Sequence, residues 1–275
     1  MPELPEVETI ARDLQRRVVG SRIASVEVSK ADVLRVAGAR VLARRTTGAT
    51  ITRCWRRAKL VVLDLSTNDR LVVSLRFTGA LLVDDGTLSA EDRRYSTVRW
   101  RLDDGRTLHY REVRRLGTVS LMTPRQFDRY VGALGVEPLE PAFTPDRLFD
   151  VLRGSRQAVK KRIMDQRAVV GIGNIYANEA LWHAGIDPSR SARALGRDES
   201  DRLHRAIVNV LSAALDARGT SFRDYRDSAG EPGGFVTRLA VYGREGAPCL
   251  KCGSRLVGTH VIDGRSTVLC VRCQS

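Results

Sequence analysis

No apolar run in this 275-residue sequence is long enough to cross a bilayer, and residues 1–20 are acidic and amphipathic, unlike the basic-then-apolar pattern of a secretory leader. The expectation is a cytosolic, cytoplasmic chain with no membrane partner. No internal repeat and no low-complexity tract is present, so the chain reads as ordinary globular domains with a full core. Acidic residues are in short supply: 32 Asp+Glu face 46 Lys+Arg, a net charge of +14. Such a balance points to a polyanion partner, nucleic acid before anionic membrane. Five cysteines in a cytosolic chain are not expected to pair as disulfides, which makes their spacing informative.

From Pro5 the apolar positions Val7, Ile10, Leu14 and Val18 keep helical spacing up to Gly20. Short alternating or apolar runs follow: RIASVEVS, ATITRCW, KLVVLDLS, RLVVSLRF, TVRWRLDD and TVSLMT, punctuated by turns such as Asp85-Gly86 and Asp104-Gly105. Close-spaced short strands predict a β-sandwich or barrel rather than βαβ units. The stretch GVEPLEPAFTPD, from Gly135, reads as a linker. Helical patterns dominate beyond it, in DRLFDVLRG, QAVKKRIMDQRAV, NIYANEALWHAG and ESDRLHRAIVNVLSAALDARG. A glycine-rich loop at 219–234 then leads to a cysteine-bearing tail. The expected fold is α+β, with divisions at 1–134, 135–236 and 237–275.

Four cysteines form two C-x2-C pairs, Cys249/Cys252 and Cys270/Cys273, with 17 residues between them. This spacing suits one structural Zn2+ held by four thiolates, with no open coordination position for catalysis. An Asp263-Gly264 turn between β-type residues predicts a hairpin with Arg265 near its tip. His260 is expected to be a strand residue and not a ligand, and the lone Cys54 a small core residue.

The stretch GIGNIYANEAL, Gly171 to Leu181, lacks the third glycine of a dinucleotide fingerprint and the Gly-Lys-Ser/Thr of a P-loop, so no nucleotide cofactor is expected. A glycine-rich turn between two helices instead presents backbone N–H groups where a phosphate can bind. Asn174 can cap the second helix or donate its amide to that phosphate.

PELPEVET at the start, GIGNIYANEAL, the loop DYRDSAGEPGGF, the following VYGREGAPC and the four-cysteine tail together resemble the formamidopyrimidine-DNA glycosylase/endonuclease VIII family. The resemblance spans nearly the whole chain, and Leu4 favours the formamidopyrimidine branch over the Pro-Glu-Gly-Pro start of endonuclease VIII. It implies an N-terminal helix plus β-sandwich domain, a helix–two-turns–helix domain and a zinc-finger β-hairpin. It also implies a bifunctional DNA glycosylase/AP lyase of base-excision repair, a monomer associated with the bacterial nucleoid. Its substrate would be double-stranded DNA carrying oxidised purines or abasic sites.

In the family Met1 is removed and the free secondary amine of Pro2 attacks the sugar C1′. An α-amino group titrates near 8 and lysine near 10.4, so at pH 7.4 roughly a fifth of the former is neutral against about 0.1% of the latter. Only the neutral amine attacks. The resemblance assigns Glu3 to protonating the sugar ring oxygen, Glu6 to orienting the terminus, and Lys59 to phosphate contact and assistance in catalysis. Glu8 reads as a helix N-terminal acid stabilised by the dipole.

Glycosylases extrude their target nucleotide, and the family fills the hole with three residues from two loops. Here these are Phe77, Arg114 and Leu116. The usual first loop has His, Gly and Met where this chain has Ser74, Arg76 and Phe77. The second usually carries Phe where Leu116 stands. An apolar filler survives at both points, with aromatic and aliphatic exchanged. Arg223 in the capping loop, Lys160 and Tyr242 match further DNA-contacting positions, and Asn174, Arg265 and Lys59 together would grip the flanking phosphates. The competing expectations are an endonuclease VIII-like enzyme for oxidised pyrimidines and a non-catalytic damage-binding paralogue.

Overall fold

The computed structural model describes residues 1–221, 227–228 and 230–275. They form two compact units, Met1–Ala133 with Ala217–Gly234, and Leu134–Asp216 with Phe235–Ser275.

The first unit opens with α1 (Leu4–Arg17), where Pro5 lies in the first turn and its missing N–H breaks no intrahelical bond. Leu4, Val7, Ile10, Ala11 and Leu14 share one buried face. The chain continues as β1 (Ile23–Val28), β2 (Leu34–Arg35), α2 (Ala39–Thr46), β3 (Ile51–Arg57), β4 (Leu60–Leu65), β5 (Arg70–Ser74) and β6 (Gly79–Asp84). Then come α3 (Ala90–Arg94), β7 (Ser96–Leu102), β8 (Thr107–Glu112), β9 (Thr118–Met122) and α4 (Pro124–Val131).

Two sheets result, ordered β1-β7-β8-β6 and β2-β9-β5-β4-β3, antiparallel except for the short β2·β9 pairing. Val61, Leu63, Leu71 and Val73 from one sheet meet Leu81, Val98, Trp100 and Tyr110 from the other, and α1 adds Val7, Ile10 and Leu14 to the same core. The opposite side of β4 and β5 buries Leu60, Val62 and Val72 under Phe127 of α4. This is the β-sandwich that the close-spaced runs predict. Strands β6 and β8 lie outside those runs: Gly79 and Asp84 shorten the apolar stretch of β6, and β8 buries the polar His109 and Glu112 among its apolar residues.

The second unit contains α5 (Pro145–Arg153), α6 (Val159–Met164), α7 (Asn174–Ala184), α8 (Arg197–Asp216) and the hairpin β10 (Val257–Thr259)/β11 (Thr267–Leu269). Gly185, left-handed at φ 71°, ends α7, and the Lys251 ammonium donates to the terminal carbonyls of Trp182 (2.8 Å) and His183 (3.2 Å). Trp182 packs with Val241, Leu256, Val268, Cys249 and Cys270, so the cysteine-bearing tail shares a core with the helices. Asp263 and Gly264 both take positive φ, and Arg265 N–H donates to Ile262 O (3.2 Å), the tight turn expected at the hairpin tip. His260 differs from expectation: it lies just beyond β10, outside the strand.

Gly135 donates its N–H to Gln166 O (2.8 Å), and a Cβ there would fall on the Ala168 carbonyl. Gly135→Ala is expected to destabilise the protein by about 1–3 kcal/mol, measured by thermal unfolding. An unchanged Tm would contradict this packing.

Candidate active site and nucleic-acid interface

Pro2 and Glu3 are buried immediately before α1, and Glu6, at 1% exposure, closes a capping box by accepting the Glu3 backbone N–H on Oε2 (2.7 Å). The other oxygen of Glu6 accepts the Thr220 N–H (2.7 Å). Gly219, at φ 85°, makes that approach possible, since a Cβ there would lie 2.8 Å from the Glu6 carboxylate. Arg218 bridges Asp13 of α1 and Asp227 (2.6 Å each), and Arg17 donates to Ser228 O (3.0 Å). The segment after α8 is therefore tied along α1. Arg223 lies outside the described residues.

Strand β3 runs antiparallel to α1: Gln15 accepts from Cys54 N (2.8 Å), and Glu8 from Arg56 Nε (2.9 Å). The same progression carries the two-residue Ala58-Lys59 turn between β3 and β4 toward the end of α1 that holds Pro2 and Glu3. Glu8, read as a dipole-stabilised acid, also pairs with Arg12 (2.7 Å). Cys54 is buried, and desolvation pushes its thiol up, keeping it an inert core group.

Phe77 follows β5 and Leu116 precedes β9, each 47% exposed. The Arg114 guanidinium lies over the Phe77 ring at 5.6 Å, so the two loops meet. Val113, in the same loop as Leu116, is also exposed; no pattern in the sequence singles it out.

In the second unit Gly173 is the N-cap of α7 and Asn174 its first residue, so of the two options for Asn174 the side-chain cap is not used. Its Nδ2 instead donates to Ser266 O (3.0 Å), which also accepts from Asn178 Nδ2 (3.4 Å) and Lys160 Nζ (2.9 Å). Lys160, 1% exposed, donates further to Thr267 Oγ1 (2.7 Å). This lysine turns inward and holds the hairpin against α6. Arg265, next to Ser266, is half-exposed and sits beside Asp263. Asn174, Lys160 and Arg265 are thus brought together. Tyr242 is placed separately, its N–H bound by Glu179 (2.8 Å), whose carboxylate also accepts Ala240 and Val241 N–H.

The Sγ atoms of Cys249, Cys252, Cys270 and Cys273 all lie within 4.8 Å of one another. Tetrahedral Zn–S bonds of about 2.3 Å require S···S separations of about 3.8 Å, and Cys249–Cys273 and Cys252–Cys270 stand at 4.0 and 3.5 Å. The Ser254 hydroxyl and N–H draw the Cys252 thiol down to about 6, toward the thiolate that ligates a metal. The neighbouring sulfurs push Cys273 up, because thiolates this close need a cation to ionise together. The residues fit a four-thiolate metal centre.

Two family models match: the formamidopyrimidine-DNA glycosylase N-terminal domain over residues 1–119 and the H2TH domain of the same enzymes over residues 134–226. The formamidopyrimidine-DNA glycosylases of Xanthomonas campestris pv. campestris and Desulforamulus reducens are 42% and 40% identical, each aligned over 100% of this chain and 99–100% of its own length. The MutM (Fpg) structure from Thermus thermophilus superposes with a TM-score of 0.87 at 36% identity, covering 99% of this chain and 98% of that one. Lactococcus lactis Fpg, solved in complexes with Fapy-dG DNA and with abasic-site DNA, gives 0.92 at 31–32% identity and 99–100% coverage of both chains. The chain belongs to the formamidopyrimidine-DNA glycosylase family.

A strong chelator should lower Tm by about 5 °C or more and shift the tryptophan emission, with both restored by adding back a thiolate-binding divalent metal ion. A Tm unchanged in protein shown metal-free by elemental analysis would contradict a structural role.

Proposed function

We propose that this chain is a bifunctional DNA glycosylase/AP lyase that removes 8-oxoguanine and formamidopyrimidines from double-stranded DNA and cuts the strand by β,δ-elimination. The observation that carries this reading is the buried capping box that fixes Pro2 and Glu3 at the head of α1, with Glu6 bound on both oxygens. Once Met1 is removed, the neutral Pro2 nitrogen attacks C1′ and the base leaves with the electrons of the glycosidic bond. The attached Pro2 nitrogen gives up its proton to the departing base, Glu3 protonates the ring oxygen, and the C1′–O4′ bond breaks, leaving an iminium between Pro2 and C1′. The iminium acidifies C2′. Loss of that proton expels the 3′ phosphate, and a second elimination through C4′ expels the 5′ phosphate.

Lys59 and Arg265 supply cations, and Asn174 an amide, to the phosphates flanking the extruded nucleotide. Lys160 serves this grip from beneath by fixing the hairpin on which Arg265 rides. Phe77 and Leu116 fill the vacated stack, and Arg114 hydrogen-bonds the orphaned base. The metal is zinc, held by Cys249, Cys252, Cys270 and Cys273, and its chemistry is to bind four thiolates and stiffen the hairpin.

Oxidised pyrimidines are a second reading. Lactococcus lactis Fpg, 31% identical, is crystallised with oxidised-pyrimidine DNA, and the exchanged wedge residues Phe77 and Leu116 alter the stack beside the lesion. Release of the damaged base from defined duplexes separates the two.

Borohydride added to protein and an 8-oxoguanine:cytosine duplex should trap a covalent complex, and Pro2→Gly should trap at least about tenfold less. No trapping by the wild-type protein would favour a damage-binding protein that does not cleave. Equal trapping by Pro2→Gly would remove Pro2 from its role.

A further inference from the structure

The two wedge loops share one organising group. Glu112 closes β8 at 2% exposure, with its carboxylate lying between them. Its Oε1 accepts from the Thr78 hydroxyl and from Arg114 N–H (3.2 Å). Its Oε2 accepts from Gly117 N–H (2.8 Å) and the Tyr110 hydroxyl (3.5 Å). Thr78 Oγ1 in turn accepts the Arg114 N–H (3.2 Å), so the loop before β6 and the loop after β8 are joined through one carboxylate. A Cβ on Gly117 would overlap Tyr110 Oη, Glu112 Oε2 and Ser74 O, which leaves the site room for the carboxylate and nothing else. Burial and Glu112 push the Tyr110 phenol up, so it stays a neutral donor.

Both loops also hold a non-glycine residue in the left-handed region: Arg76 (φ 52°) immediately before Phe77, and Arg115 (φ 54°) immediately before Leu116. Side chains adopt that conformation at a cost, and they persist there when surrounding bonds over-determine the backbone. On one loop those bonds come from Glu112 to Arg114 and Gly117, which bracket Arg115 and Leu116. On the other, the bond is to Thr78, directly after Phe77.

From this we infer that Glu112 is a positioning residue for DNA base extrusion. It presets Phe77 on one loop and Arg114 and Leu116 on the other as a single rigid wedge before DNA arrives. The inference rests on the wedge reading proposed above and adds the group that makes the two loops act as one. A preset wedge enters the stack without ordering two loops at the moment of binding, and loop ordering is the cost that preorganisation removes.

The test uses the full-length protein on two substrates: an 8-oxoguanine:cytosine duplex, which requires the wedge, and a single-stranded abasic oligonucleotide, which does not. Glu112→Gln replaces an acceptor oxygen with an NH2 that faces donors. It should lower excision from the duplex about tenfold or more and flatten the preference among opposite bases. Borohydride trapping on the single strand should stay within about twofold of wild type. Glu112→Asp keeps both acceptor oxygens and should recover part of the loss. Thr78→Val, nearly isosteric, removes the hydroxyl that ties the first loop to Glu112 and to the Arg114 N–H, and should show the same split if Glu112→Gln fails to fold.

Equal losses on both substrates that track a lowered Tm would reduce Glu112 to a structural residue and overturn the inference. Phe77→Ala/Leu116→Ala is assayed alongside. If it loses duplex excision while Glu112→Gln does not, the assignment to Glu112 fails alone. If neither variant loses it, the wedge reading fails and the inference falls with it.

Discussion

The geometry at the head of α1 depends on one buried carboxyl group. Glu6 accepts the backbone N–H of Glu3 with one oxygen and that of Thr220 with the other. A polar group that leaves water is tolerated only where hydrogen bonds replace its hydration, and two backbone donors at 2.7 Å do so here. The consequence is geometric. The residues ahead of α1, which as a free chain end would fray, are instead held in one conformation. A nucleophile in such a frame meets its target as a near-intramolecular group, where orientation supplies much of the rate.

The same device recurs twice. Glu112 gathers donors of the two loops that carry Phe77 and Leu116, and Glu179 gathers three successive N–H groups at Ala240, Val241 and Tyr242. All three glutamates are almost wholly buried in a chain whose acids are outnumbered 46 to 32. These acids serve inside as loop organisers. Arg114, Arg115 and Arg265 remain exposed or half-exposed, at the surfaces that a polyanion would meet. The basic balance is set by the composition, and withdrawing these acids from the surface adds to it.

The helices and the sandwich were legible because their apolar spacing is regular: Val7, Ile10 and Leu14 mark α1, and LVVLDL marks β4. The four cysteines were legible because ligand spacing is nearly a geometry in itself. Strands β6 and β8 are harder to read: GALLVD opens on a glycine and closes on an acid, and TLHYRE buries His109 and Glu112, polar residues whose burial no pattern announces. The inward turn of Lys160 was also hidden. A lysine within AVKKRIMDQ looks like a surface cation until the hairpin it supports, more than a hundred residues later, is packed against α6. Glu112 was invisible for a similar reason. Nothing local distinguishes it from any acid ending a strand, and its partners Thr78, Arg114 and Gly117 come from both sides of a sheet pairing.

The central claim is that the imino group of Pro2, held by the Glu3–Glu6 box, is the attacking atom. The most direct measurement is peptide mapping of the borohydride-reduced protein–DNA adduct by mass spectrometry. The expected adduct has the sugar carbon bonded to the nitrogen of Pro2 in a polypeptide lacking Met1. An adduct on Lys59 or any other lysine, or a competent protein that still carries Met1, would contradict it.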